Sequence, residues 1–61
     1  MSDTGPRVLV IDDERAIRRF LKASLAVHGY TVIEAATGQD GLSAAAVSRP
    51  DLIILDLGLP D

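Results

Sequence analysis

The first patterned stretch of the chain is Val8-Leu9-Val10-Ile11, a continuous apolar run rich in β-branched residues and stopped by Asp12-Asp13-Glu14. Such a run bounded by charge predicts a strand covered on both faces, as in a parallel sheet. From Arg15 the period changes. Ile17, Phe20, Leu21, Leu25 and His28 recur at helical spacing, Arg18, Arg19 and Lys22 fall on the opposite side, and Gly29 predicts a C-terminal cap. Tyr30 to Ala35 is a second strand whose Glu34 suits a sheet edge better than its centre. Thr37 followed by Asp40 resembles a capping box, and Leu42, Ala45 and Ala46 form a narrow stripe on a second helix ending near Ser48. Pro50 blocks its continuation, and Leu52-Ile53-Ile54-Leu55 is a third strand, expected to be buried on both faces and closing on Asp56.

The order is β-α-β-α-β with helical crossovers, which implies an α/β fold with a parallel sheet and right-handed connections. Residues 1–6 (Met, Ser, Asp, Thr, Gly, Pro) show no periodicity and are expected to be a disordered tail, leaving residues 7–61 as one folded unit. Repeats and low-complexity tracts do not occur.

Composition narrows the picture. At 61 residues the chain can bury only about 60 % of its unfolded surface. With Phe20 and Tyr30 its only aromatics, the core must come from aliphatic residues and alanine. It has no cysteine, hence no disulfide framework and no thiolate zinc site. No apolar run approaches the length of a membrane span and Met1 to Arg7 lacks the core of a signal peptide, so a soluble cytoplasmic protein without membrane contact is expected. A formal charge of −3 argues against nucleic-acid binding by this segment, which would concentrate Lys and Arg on one face.

Candidate chemistry lies at the strand ends. In open parallel sheets, ligands bind beyond the carboxyl ends of the strands. If the first and third strands are neighbours, Asp12, Asp13 and Asp56 converge there, because adjacent strands lie about 5 Å apart. Two such charges about 4 Å apart repel by roughly 4 kcal/mol at an effective dielectric near 20. A hard divalent cation removes that repulsion, and Mg²⁺ held by one or two carboxylates commonly serves phosphate chemistry. Asp56, alone at its strand end, is then the candidate nucleophile toward a phosphoryl group. Blander readings stand beside this one. Asp12 or Asp13 could cap the helix that follows, and Asp56 could be the first polar residue of a loop. His28 fits a packed or dipole-favoured histidine, and Arg15, Arg18, Arg19 and Lys22 fit a solvated helix face, with kinase docking the sharper alternative.

Strand-DDE at Asp12 to Glu14 and the motif DLxLPD at Asp56 to Asp61 resemble the receiver domain of two-component response regulators. Ile11 to Leu21 and Pro50 to Asp61 look most like the Kdp-type potassium-uptake regulators of the winged-helix (OmpR/PhoB-like) class. The resemblance covers the whole chain but only about the N-terminal half of the family's domain. It implies a βαβαβ half of a flavodoxin-like (CheY-like) doubly wound sheet, with strand order 2-1-3 and truncated after the third strand. It further implies that Asp13 ligates Mg²⁺, that Asp12 supports the ion directly or through water, that Asp56 accepts the phosphoryl group and that Gly58 offers its carbonyl to the metal. The partner would be a sensor histidine kinase, and the chain a phospho-accepting signalling domain rather than an enzyme. The family's Ser or Thr after a fourth strand and Lys after a fifth have no counterpart in these residues, so impaired phosphorylation is expected. The alternative is an inactive half-domain that forms a homodimer along the third strand. A dehalogenase-type hydrolase would want Asp-x-Asp after the first strand, where this chain has Asp-Asp-Glu, and no phosphate-binding glycine motif occurs.

Overall fold

The computed structural model describes residues 5–56. Its elements are β1 (Arg7–Asp12), α1 (Arg15–Val27), β2 (Thr31–Ala35), α2 (Gly38–Ser48) and β3 (Leu52–Asp56). The strands form one parallel sheet in the order β2-β1-β3. This is the expected α/β half of a flavodoxin-like fold. Of the expected tail, residues 1–4 lie outside the described residues, while the Pro6 carbonyl accepts from the Thr31 N–H (2.9 Å).

β1 is hydrogen-bonded on both edges and carries the core. Val8, Leu9, Val10 and Ile11 are all buried, as their uninterrupted apolar run requires. Strand alternation sends Leu9 and Ile11 to one face, where they pack with Ala35, Ile33, Ala44 and Ala45 beneath α2. Val8 and Val10 take the other face, toward α1. Fully burying an aliphatic side chain stabilises by about 1.5–3 kcal/mol, so this one strand supplies much of the hydrophobic gain.

Local chemistry ends each helix where the sequence implies. Gly29 has φ +88°, and its N–H bonds to Ala26 O (3.0 Å) while Tyr30 N–H reaches Leu25 O (3.2 Å), the paired bonds of a Schellman cap. His28 is exposed at the C-cap rather than packed, its Nδ1 3.0 Å from the Ser24 carbonyl oxygen, so it tends a free carbonyl of the last turn. At α2, Thr37 Oγ1 accepts from Asp40 N–H (3.0 Å), which realises half of the expected box.

Two packing expectations are overturned. The α2 stripe is not Leu42, Ala45 and Ala46: Gly41, Ala44 and Ala45 approach the sheet, and Leu42 and Ala46 are exposed. A Cβ at Gly41 would overlap Ile11 Cδ1 and Cγ1, so the missing side chain is what lets the helix lie close. Nor is β3 buried on both faces. Leu52, Ile53 and Leu55 are 57, 48 and 61 % exposed. The cause is topological: α1 and α2 both lie over β1 and β2, and among the described residues neither covers β3, which bonds to β1 alone.

The close approach at Gly41 yields a test. Gly41→Val is expected to lower the urea midpoint by the equivalent of about 1–3 kcal/mol, the usual cost of forcing atoms into a filled core. Gly38, which faces open space, should accept alanine with no loss.

Candidate functional site

β1 and β3 run parallel in register, Asp12 opposite Asp56, so the acid pair and the third-strand acid share one end of the sheet. Adjacent backbones at that end are about 5 Å apart. Gly58 and the side chain of Asp56 lie outside the described residues. Among the described residues no trio of acids, histidines or cysteines gathers around one point, and the expected trio includes Asp56.

Asp12 closes β1 and is only 3 % exposed. Its Oδ1 accepts from the Glu14 N–H (2.8 Å), a local turn that uses one carboxylate oxygen to order the β1–α1 connection. Neither Asp12 nor Asp13 caps α1. The N-cap is Glu14, which makes no side-chain cap bond, and the first turn carries no acidic residue. Capping therefore does not account for the acid pair. Asp13 is exposed beside the buried Asp12, facing the solvent from which a hydrated cation would arrive.

Sequence reasoning placed Arg18 on a solvated face, but the structure puts it to structural use. Its Nη1 donates to the Asp12 main-chain carbonyl (2.6 Å) and its Nε to Glu34 Oε1 (3.4 Å), with the side chain only 15 % exposed. Lys22 Nζ reaches the other Glu34 oxygen (3.6 Å). Glu34 is the register partner of Val10, hence on the α1 face of the edge strand, directly in the path of Arg18. The available signal was a lone acid on an otherwise uncharged strand, which wants a cation from the adjoining helix. Arg15, Arg19, Ala23 and Ala26 complete the lining of an open cleft of about 600 Å³ along this face.

The donor set suits a hard cation, since Asp12 and Asp13 offer oxygens alone and one of them is already oriented by a backbone N–H. Among the described residues no helix is long and apolar enough to cross a membrane.

Residues 8–61 match the family model described as the response regulator receiver domain. Over 54 residues, 88 % of this chain and 24 % of the relative, the sequence is 61 % identical to the KDP operon transcriptional regulatory protein KdpE of Escherichia coli (strain K12). The same figures hold for the transcriptional regulatory protein KdpE of Mycobacterium tuberculosis (strain CDC 1551 / Oshkosh). Identity to the transcriptional regulatory protein AfsQ1 of Streptomyces coelicolor is 49 % over 55 residues, 90 % of this chain and 24 % of the relative. The chain thus spans about a quarter of the length of the curated relatives it matches.

The turn at Asp12 separates structure from charge. Asp12→Ala removes the acceptor of the Glu14 N–H and should cost about 1 kcal/mol in chemical denaturation. Asp12→Asn keeps an oxygen there and should fall within about 0.5 kcal/mol of the parent, while removing one of the negative charges available to a cation.

Proposed function

The chain belongs to the response regulator receiver domain family, and we propose that it takes a phosphoryl group on Asp56 from the phosphohistidine of a sensor kinase, with Mg²⁺ held by Asp12, Asp13, Asp56 and the Gly58 carbonyl. The observation that carries this reading is the register of Asp12 opposite Asp56, which sets the acid pair beside the acceptor. The carboxylate of Asp56 attacks phosphorus, the bond from phosphorus to the imidazole nitrogen breaks, and its electron pair stays on the imidazole. Asp12 and Asp13 gather negative charge that by itself would repel the incoming phosphoryl group and that draws a divalent cation to the site. Bound Mg²⁺ supplies the positive charge that offsets both. Cytoplasmic location accords with this role and with the kinase as partner, and potassium uptake is the process implied by the resemblance of Ile11 to Leu21 and Pro50 to Asp61 to Kdp-type regulators.

The test is labelling from acetyl phosphate. Phosphorylation of Asp56 should require Mg²⁺ and vanish in Asp56→Asn, and NMR titration should move Asp12, Asp13 and Asp56 at millimolar Mg²⁺. Shifts confined to other residues would refute the site. These 61 residues hold neither the family's Lys nor its Ser/Thr on the later strands, which stabilise charge in the transition state. Labelling of this segment alone should therefore be much slower than that of a complete receiver.

A second reading has its own support in β3, whose outer edge and apolar residues are uncovered among the described residues. Unpaired N–H and C=O groups beside exposed Leu52, Ile53 and Leu55 invite another strand. Because a two-fold axis makes the same element meet itself, β3 would pair antiparallel with its copy, giving the strand order 2-1-3-3-1-2. The groove lined by Ile11, Gly41, Leu42, Ala45, Ile53 and Leu55, of about 370 Å³, would adjoin that seam. Sedimentation of the 61-residue polypeptide should then show a concentration-dependent dimer with protected Ile53 and Ile54 amides. A folded monomer from micromolar to millimolar concentration, with those amides exchanging freely, would exclude it.

A further inference from the structure

We infer that Arg18 is a positioning residue for the acid site: it fixes the peptide unit between Asp12 and Asp13 and thereby the place from which Asp13 presents its carboxylate to a divalent cation. The inference rests on the reading of Asp12 and Asp13 as cation ligands.

The β1–α1 turn lacks the usual means of holding its shape. Glu14 makes no side-chain cap bond, and α1 begins with Arg15 and no acid in its first turn. Two interactions take the place of a cap. The Asp12 side chain accepts from Glu14 N–H at 2.8 Å, and the Asp12 carbonyl accepts from Arg18 Nη1 at 2.6 Å. The first fixes the residue after Asp13 and the second fixes the peptide plane before it, so Asp13 is constrained from both sides while staying exposed. A carbonyl held this way cannot rotate without breaking a short charge-assisted bond.

Arg18 is itself held. Glu34 takes its Nε, and Lys22 steadies the second Glu34 oxygen, so the guanidinium bridges the end of β1 and the edge strand β2. Its planar fork, with separate Nε and Nη1 donors, spans both acceptors in a fixed geometry. A lysine offers a compact point of charge on a flexible stem, without the rigid pair of donors that fixes the carbonyl and the carboxylate in one plane. Ligand-orienting groups of this kind commonly change metal affinity 10–100-fold when removed.

Charge and positioning predict opposite signs. Removing a positive charge near a cation site should tighten Mg²⁺ binding, whereas freeing the Asp12–Asp13 peptide should weaken it. Mg²⁺ affinity is read by NMR titration of the Asp13 and Glu14 amides in the parent chain, Arg18→Ala, Arg18→Lys, Arg19→Ala and Gly41→Val. Arg18→Ala and Arg18→Lys are expected to weaken binding roughly tenfold. Arg19→Ala, with the same charge change as Arg18→Ala, should leave it unchanged or slightly tighter. Gly41→Val, destabilised at the other face, should bind as the parent does once its folded fraction is taken into account. Without Mg²⁺, Arg18→Ala should also shift the Asp13 and Glu14 resonances and speed exchange of the Glu14 amide. Unmoved resonances, or affinity that is equal or tighter in Arg18→Ala, would overturn the inference. If the parent chain shows no Mg²⁺ response at Asp12 and Asp13, the cation role of Arg18 falls with the acid-site reading. Metal-free shifts would then leave it an ordering role in the turn alone.

Discussion

Everything in this small fold depends on β1 being shut off from water from Val8 to Asp12. Its backbone is bonded on both edges, and its side chains are covered by α1 on one face and α2 on the other. Four consecutive buried aliphatics permit this, and a polar residue at any of them would leave an unpaired group inside. The strand must nevertheless end, and it ends on the buried Asp12. The most strongly held element of the chain therefore delivers its first carboxylate at the rim of the sheet, with little conformational freedom left to lose when a ligand binds.

The legible parts of the fold were those governed by local rules. The apolar run of β1, the Gly29 cap and the Thr37 cap each depend on a few neighbouring residues; the first two took their expected form and the third formed half of its expected box. Glu34 on an edge strand was legible for the same reason, since a charge on a strand face asks for an edge or a partner; here it has both. What failed was inference about what lies across the gap. An apolar run says that a strand can be buried, not that something covers it, and β3 is the case in point. The contact stripe of α2 was misplaced because hydrophobicity was weighed above size. Gly41 faces Ile11 by having no side chain, which no apolar pattern signals.

The acid site was legible at the level of the backbone. Asp12 and Asp56 are far apart in sequence, yet both close a strand, and a parallel register brings such positions together. The supporting bonds were not legible. Arg18 lies among several basic residues on α1, and nothing in its spacing separates it from Arg15 or Arg19. Its role follows from the rotation of α1 over β1 and β2, which brings Arg18 between the Asp12 carbonyl and Glu34 while its neighbours stay exposed.

The site is mechanically uneven. Asp12 and Asp13, the proposed cation ligands, stand on β1, paired on both edges, and on a turn held by Glu14 N–H and Arg18. Asp56, the proposed acceptor, stands on β3, which among the described residues is bonded on one edge and uncovered by either helix. Local opening follows the number of buried contacts an element makes, so the β3 end opens more readily than the β1 end. Covering the apolar groove beside Ile53 and Leu55 would remove that difference, whether the cover is further polypeptide or a second copy. Stability and chemistry are coupled here through one strand. The surface that lowers the fold's free energy when buried is the surface that steadies the backbone of Asp56, so anything that docks on β3 changes how well Asp56 is placed relative to Asp12 and Asp13.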